Sequence, residues 1–212
     1  RDGAVGITIT QNVLGGLANS FTDPAATRTK GSNIVFDGGA DHVVIERNLI
    51  GFASDSGILK YGKNAGVLTN LRIAKNELRS NGKAPAVNTQ GAAIELNHTA
   101  LPVQDQAVII ARNLITDSAA QGLQLTYGHG VTIDDNTIHS NGVNGATALD
   151  ERQNIHLPGA QAVTIQHNII MASAASDGVK LVSGVGVSPT AAQQVRITQN
   201  QFGSNRGQAI NL

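Results

Sequence analysis

The chain has 212 residues with 15 basic and 15 acidic side chains, so its formal net charge is zero. Charged residues make up only 14% of it, and no strong field draws it to nucleic acid or to an anionic membrane surface. Cysteine is absent, which excludes disulfides, thiolate metal sites and a thiol nucleophile. No stretch reaches the ~18 apolar residues of a membrane-spanning helix, so we expect no membrane insertion.

One sequence phrase recurs seven times along the chain: an alternating apolar strand, polar residues, an asparagine and a further apolar pair. Its copies end on Asn12, Asn48, Asn76, Asn113, Asn136, Asn168 and Asn200. Successive asparagines are 23 to 37 residues apart, so the motif is fixed while the segments between its copies vary in length. This pattern is typical of stacked coils whose insertions fall on loops.

A second short strand, usually opened by Gly or Ala, follows each asparagine turn. Its copies are 33–36, 57–60, 93–96, 122–125, 154–157, 178–181 and 209–212. Alternation places one set of apolar side chains on the inner face: Ile58, Ile94, Leu96, Leu123, Leu125, Ile155, Leu157, Val179 and Leu181. The side chains between them are expected to point outward.

Three short strands per coil predict one all-β domain over 1–212, a single-stranded right-handed parallel β-helix of about seven coils. We call the sheet of the Gly-opened strands sheet 1, that of the strands before the asparagine sheet 2, and that of the strands after it sheet 3. The asparagine is expected to adopt the bent turn conformation itself and to hydrogen-bond the next asparagine in the stack, as a scaffold ladder. A β-sandwich or open barrel is the alternative fold, but neither explains an asparagine at one place in every unit.

Neither end of the sequence carries a cap. The chain starts on a sheet 2 strand and stops at Leu212 within sheet 1, whereas a solenoid needs its terminal core covered. We therefore expect the middle coils of a longer protein, or coils that stack end to end on another chain.

The Gly-Ile-x-Leu strand, the Val-x-Ile-x-x-Asn turn and the following Ile resemble the parallel β-helix repeats shared by pectate lyases and mannuronan C5-epimerases. Similar repeats occur in phage tailspikes and adhesins. The resemblance implies a substrate groove along the outer face of sheet 1, walled by loops that include 79–91 and 141–153. The row of outward residues would be Val35, Leu59, Glu95, Gln124, His156, Lys180 and Asn211, with Asp37, Tyr61, Asn97 and Thr126 beside it.

The sequence departs from the enzymes it resembles. Their Asp-Pro-His catalytic motif has no counterpart, since the one Asp-Pro pair, Asp23 and Pro24, is followed by Ala25. The clustered calcium aspartates of pectate lyases and the glycine- and aspartate-rich calcium nonapeptide are also missing.

Glu95, His156 and Lys180 form the sharpest candidate constellation, because they occupy equivalent outward positions. Glu95 and His156 would be two coils apart, about 10 Å at the backbone. Removing the C5 proton of a uronate needs a base and a cation that stabilises the resulting anion. Tyr127 is the fourth candidate catalytic residue, and the predicted substrate-binding residues are Lys60, Tyr61, Asn97, Gln124 and Asp177. The alternative is that an exposed sheet face carries polar residues in any case.

Other chemistries have weaker support. A glycosidase pair would combine Glu95 with Asp150 or Glu151. A calcium site would use Asp37, Asp41 and carbonyl groups near Gly38, whereas the six histidines are scattered without ligand spacing. We expect no organic cofactor.

The sequence thus predicts an extracellular or cell-surface β-helix, with the periplasm as the other location, that binds or acts on a polysaccharide. As an enzyme it would be a lyase or C5-epimerase on an acidic polysaccharide. The rival is a non-catalytic adhesin, phage-fibre segment or structural spacer, and the low content of aromatic residues, 3%, suits that rival. In either case the partner is a polysaccharide or cell-surface glycan.

Overall fold

The computed structural model describes residues 3–15, 29–61, 66–82, 91–98, 106–143, 152–174, 176–182 and 193–212. Within these ranges the chain forms 24 short strands and no helix. Three seven-stranded parallel sheets hold almost all of the strands, and neighbours in a sheet are equivalent strands of successive coils. The described part of the chain contains no helix that is long and apolar enough to cross a membrane.

The strand bounds follow the predicted phrases. Sheet 1 contains Ile34–Phe36, Ile58–Lys60, Ile94–Asn97, Leu123–Thr126, Ile155–Pro158, Val179–Val182 and Ile210–Asn211. Sheet 2 contains Thr8–Thr10, Val44–Glu46, Arg72–Ala74, Val108–Ala111, Val131–Asp134, Thr164–Gln166 and Arg196–Thr198. Sheet 3 contains Val13–Leu14, Leu49–Gly51, Glu77–Arg79, Leu114–Thr116, Thr137–His139, Ile169–Met171 and Gln201–Gly203. A minor sheet between sheets 1 and 2 contains Ala4–Val5, Ala40–Asp41 and Leu68–Thr69.

This topology confirms a right-handed parallel β-helix of seven coils. Every strand pairing is parallel, so the alternative of a β-sandwich or open barrel is wrong. The core consists of stacked aliphatic side chains, and each sheet contributes one or more of them to each central coil. In the third coil, for example, Ile73, Leu78 and Ile94 are fully buried. Of the inner set predicted for sheet 1, all are buried except Leu181, which is partly buried against the core.

The asparagine ladder is present and unbroken across all seven coils. From Asn12 to Asn168, the Nδ2 of each asparagine donates to Oδ1 of the next at 2.9 to 3.1 Å. The backbone N–H of the same asparagine donates to that oxygen as well, at 2.8 to 2.9 Å. Nδ2 also reaches a sheet 2 carbonyl oxygen, as Asn113 does with Ile73 at 2.9 Å. These bonds satisfy the buried amides from coil to coil.

One detail of the turn differs from expectation. The left-handed backbone conformation belongs to the residue before each asparagine rather than to the asparagine itself. Arg112 and His167, for example, have φ values of 56° and 54°. The strained residue is held in place because the following asparagine anchors its side chain in the neighbouring coil. Asn is therefore needed at this position because its side-chain amide both donates and accepts hydrogen bonds, and not because Asn tolerates a positive φ.

A second stack of asparagines lies at the turn that leads from sheet 3 to sheet 1. Asn141 Nδ2 donates to Asn154 Oδ1 at 2.9 Å, and Asn154 Nδ2 donates to Asn205 Oδ1 at 3.2 Å. Asn81 accepts from the backbone N–H of Ala53 at 3.2 Å in an earlier coil. This stack fixes the direction in which each chain segment enters sheet 1.

Candidate functional site

The predicted outward row on sheet 1 is in register through all seven coils. The paired positions run from Val35 through Leu59, Glu95, Gln124, His156 and Lys180 to Asn211. Asn97 pairs with Thr126 in the adjacent row. The spacing of about 4.8 Å between strands places Glu95 and His156 about 10 Å apart at the backbone.

The middle of this row is buried, which corrects the expectation that it is an exposed face. The exposed fraction is 0% for Glu95, 4% for Gln124 and 8% for His156. Lys180 and Asn211 are half-buried, and Val35 is exposed. The alternative that these polar residues merely coat a solvent-facing sheet therefore does not apply to Glu95, Gln124 and His156.

Glu95 is held at both carboxylate oxygens. Ser56 Oγ donates to Oε2 at 2.5 Å, and Asn97 Nδ2 donates to Oε1 at 2.7 Å. Both are short hydrogen bonds. Ser56 lies one coil away in the turn before sheet 1, so the carboxylate is fixed by two different coils.

Gln124 continues the network into the next coil. Its Nε2 donates to Asn97 Oδ1 at 3.3 Å and to Thr126 Oγ1 at 3.1 Å. Its Oε1 is buried and has no hydrogen-bond partner among the described residues. Gln124 pairs with Glu95 on one side and His156 on the other, so this acceptor lies between the candidate carboxylate and imidazole.

His156 and Lys180 are neighbours in the stack. The Nδ1 of His156 is 3.5 Å from Nε2 of Gln121. Gln121 is fully buried in the turn before Leu123–Thr126, one coil earlier. Asp177 is buried and accepts from the backbone N–H of Gln208 at 2.7 Å and from Asn211 Nδ2 at 2.9 Å. Asp177 thus joins the last two coils beside the row.

Lys60 stands on the other side of the strand from the row. It is in register with the core residues Phe36 and Leu96, and it is fully buried. Its Nζ donates to the main-chain oxygens of Tyr61 at 3.4 Å and Asn97 at 3.3 Å. Side chains alternate along a strand, so Lys60 points to the same side as these core residues. Its role as a substrate ligand stays a prediction, and this inward position does not favour it.

The two tyrosines lie at the end of the sheet 1 strands. Tyr61 is half-buried, whereas Tyr127 is buried and has a left-handed φ of 54°. The Tyr127 N–H donates to the carbonyl oxygen of Pro158 at 2.8 Å, one coil further along. Their functional roles also stay predictions.

The buried ionisable side chains of the described residues all belong to sheet 1 or to the turns that adjoin it. They are Asp55, Lys60, Glu95, His98, Tyr127, His156 and Asp177. Ionisable side chains are rarely fully buried unless they are paired, because burial penalises the ionised form. Their concentration on one of three sheets identifies this face as the candidate site.

Ionisable groups along sheet 2 and the minor sheet are exposed or half-buried and form local pairs. The His42 imidazole lowers the pKa of Asp41, mainly through a hydrogen bond, with Nδ1 and Oδ1 2.9 Å apart. Lys75 Nζ lowers the pKa of Glu46 from 2.9 Å. Asp41 is thus paired with a histidine, and no described group of three or more His, Asp or Glu could hold a metal ion. Calcium binding stays untested.

Several predicted features lie outside the described residues. They include 83–90 and 144–151, which make up most of the two predicted wall loops, and hence Asp150 and Glu151 of the glycosidase alternative. Asp23 and Pro24 lie outside as well.

The family profile described as "Right handed beta helix region" matches residues 88–212, more than half of the chain. The chain belongs to the right-handed β-helix family. No curated protein sequence matches it.

Solved structures resemble this β-helix at low sequence identity. PfbA, a surface adhesin of Streptococcus pneumoniae, superposes with a TM-score of 0.63 at 15% identity, over 97% of this chain and 46% of that one. A second PfbA structure gives 0.62 at 14% identity, over 98% and 49%. The A-module of the Azotobacter vinelandii mannuronan C-5 epimerase AlgE4 gives 0.53 at 15%, over 98% and 56%. The β-helix spans about half the length of these structures, and such identities show the fold alone.

Sequence reasoning missed the residues that support the row from the preceding turn. Ser56, Gln121 and Gln153 are all fully buried beside sheet 1. The signal available was their position: each lies three residues before a predicted outward residue. Polar side chains recurring there, in place of apolar ones, would have indicated a second polar row.

Proposed function

We propose that this β-helix is an extracellular or cell-surface protein that binds an acidic polysaccharide along the outer face of sheet 1. The observation that carries the proposal is that the buried ionisable groups of the described residues belong to sheet 1 or its adjoining turns, with Glu95, Gln124, His156 and the half-buried Lys180 in register over four successive coils. Evenly spaced coils place these side chains at regular intervals along an extended ligand.

The proposed chemistry is proton abstraction at C5 of a uronate residue. Glu95 or His156 accepts the proton, and the electron pair left at C5 delocalises into the carboxylate of the sugar, where Lys180 stabilises the charge. Return of a proton to the opposite face inverts C5. Expulsion of the O4 substituent instead forms a C4–C5 double bond, with the leaving oxygen protonated by an acid such as Tyr127.

The fixed position of Glu95 supports this role. Two hydrogen bonds from different residues hold the carboxylate in one orientation, which is what a base needs before it meets its substrate. Because the fold is similar to that of a mannuronan C-5 epimerase module, polyuronates are the first substrates to test.

A non-catalytic adhesin is the second candidate, and one observation favours it. Both oxygens of Glu95 already accept hydrogen bonds within the protein, as they would in a purely structural network. The likeness to a surface adhesin is of the same kind as the likeness to the epimerase module. An adhesin would bind glycan without altering it.

The test is incubation of the protein with alginate, pectate and related glycans, with and without added calcium. Absorbance of unsaturated products detects elimination, and NMR of the anomeric protons detects epimerisation. Formation of either product supports the enzyme. Binding without product supports the adhesin, and neither binding nor product argues against the proposal.

A further inference from the structure

We infer that Asn81 and Asn141 are latent sites of spontaneous deamidation, which the folded coils protect and which make unfolding irreversible once they react. Both asparagines belong to the second stack, and each precedes a glycine in the sequence Ser-Asn-Gly. Neither site depends on what the protein binds. The third Asn-Gly pair of the sequence, 144–145, lies outside the described residues.

Deamidation at an Asn-Gly pair is an intramolecular acyl transfer. The backbone nitrogen of the glycine loses its proton to a base and attacks Cγ of the asparagine. A new C–N bond closes a succinimide ring, the bond from Cγ to Nδ2 breaks, and the side-chain nitrogen takes up a proton and leaves as ammonia. Water then opens the ring at either carbonyl carbon, which gives aspartate or isoaspartate. Glycine favours the attack because no Cβ hinders the approach of its nitrogen.

The fold requires the glycine of each pair. A Cβ at Gly82 would overlap the carbonyl oxygen of Gly91, and one at Gly142 would lie 2.5 Å from that of Arg152. The φ values of Gly82 and Gly142 are 85° and 82°, in the left-handed region that favours glycine. The preceding asparagine supplies hydrogen bonds of the stack, so the chain carries a reactive pair at both turns.

In the coil of Asn81, the fold restrains both groups that would react. Asn81 is fully buried, and its Oδ1 accepts from the N–H of Ala53 at 3.2 Å. Its Nδ2 donates to the carbonyl oxygen of Ile50 at 3.2 Å. The N–H of Gly82 donates to the carbonyl oxygen of Ala53 at 3.0 Å. The glycine nitrogen therefore keeps its proton in a hydrogen bond, and the amide is held at both ends.

Asn141 is restrained in the same way two coils further along. It is fully buried, its Oδ1 accepts from the N–H of Ser118 at 3.1 Å, and its Nδ2 donates to Asn154 Oδ1 at 2.9 Å. The N–H of Gly142 donates to the carbonyl oxygen of Ser118 at 3.0 Å. Attack at either site thus needs the coil to open, and its rate follows the population of the open form.

Reaction at either position prevents the coil from forming again. Aspartate lacks the amide donor that Asn81 gives to Ile50 and that Asn141 gives to Asn154. It also brings a carboxylate into a fully buried turn, and isoaspartate adds a methylene group to the main chain. An unfolded chain that has reacted is therefore lost to the folded state, and the protein is stable only for as long as it stays folded.

The test follows deamidation of the wild type by peptide mass spectrometry at mildly alkaline pH, in buffer and in urea. In urea, Asn81 and Asn141 should react much faster than Asn205, which has equivalent bonds in the stack but precedes Arg206. In buffer, both should react at least about a hundredfold more slowly than in urea. Equal rates in buffer and in urea, or a rate in urea no faster than that of Asn205, would overturn the inference.

A refolding experiment tests the irreversibility. Ser118 and Ser173 occupy the position of Asn81 and Asn141 in the neighbouring coils, so the matched variant carries both Asn81→Ser and Asn141→Ser. After timed incubation in urea, the refolding yield of the wild type should fall as the two sites react, whereas the yield of the variant should persist. Equal falls in both proteins would assign the loss to other sites and contradict the inference.

The wild type alone provides a further check that does not depend on the folding of the variant. The fraction that refolds after incubation should contain unmodified asparagine at both sites, and the modified chains should remain in the fraction that does not refold. Modified chains in equal proportion in the two fractions would show that the coils tolerate the reaction, which would overturn the claim of irreversibility.

Discussion

Two of the runs of buried polar side chains in the β-helix are built differently. The ladder between sheets 2 and 3 repeats one residue type, Asn, with the same hydrogen bonds in every coil. The row on sheet 1 changes from Glu95 to Gln124 to His156, and no described residue donates a hydrogen bond to Gln124 Oε1. A scaffold needs the same side chain in each coil with all of its polar atoms hydrogen-bonded. A binding site can differ from coil to coil and can leave a hydrogen-bond acceptor unpaired.

The first prediction compares the same change in the ladder and beside the row, where Asn97 hydrogen-bonds two of its members. Asn113→Ala should lower the free energy of unfolding by about 4 kcal/mol, because it strands Asn76 N–H and the Ile73 carbonyl in the interior. Asn97→Ala removes the bonds to Glu95 and Gln124 from a half-buried position and should cost about 1 to 2 kcal/mol. Urea unfolding measures both. Equal losses would mean that the row is scaffold too.

The second prediction concerns the turn into sheet 1. A Cβ at Gly122 would lie 2.7 Å from Asn141 Nδ2 and 2.8 Å from the Asn154 carbonyl oxygen. Gly122→Ala should therefore destabilise the protein by about 2 kcal/mol through overpacking. Gly38→Ala is the matched control, because a Cβ there meets nothing within 4 Å. If thermal unfolding shows similar losses for both variants, the second asparagine stack is not closely packed against sheet 1.

The third and smallest effect is a pH dependence on the exposed side of sheet 2. His167 Nδ1 is 2.9 Å from Asp134 Oδ1, and Nε2 is 2.7 Å from Gln199 Oε1. Hydrogen bonding to Asp134, with smaller contributions from Gln199 and Asp135, raises the pKa of His167 above its ordinary value. The stabilisation is thus complete below the unfolded pKa of about 6.5 and is lost as the pH rises through the higher folded value.

His167→Gln should accordingly lower the melting temperature slightly at about pH 5.5, and the difference should shrink at about pH 8.5. Melting curves across this range measure it, with His42→Gln as a second exposed histidine for comparison. A difference that grows with pH would contradict the assigned direction.

The fold could be predicted from the sequence because its signals are local and repeated. The Asn phrases and the period of two gave the three sheets, the register of the row and the inner set that includes Ile94 and Leu123. Two other features depend on packing between coils. The burial of Glu95 depends on what surrounds its strand, and the left-handed φ of Arg112 depends on the anchored Asn113 that follows it. The burial of Glu95 has no local sequence signature, and the left-handed φ is tied only to the place before the repeat asparagine and not to one residue type.

The most direct test of the central claim, that function lies on the row and not elsewhere on the helix, compares two carboxylates. Glu95→Gln and Asp134→Asn make the same chemical change on sheet 1 and on the outer face of sheet 2. Polysaccharide binding and turnover by each variant are measured beside the wild type, with melting curves as a check on folding. We predict that Glu95→Gln loses turnover, or at least about tenfold in affinity, while Asp134→Asn retains both. Equal behaviour of the two variants, with both folded, would contradict it.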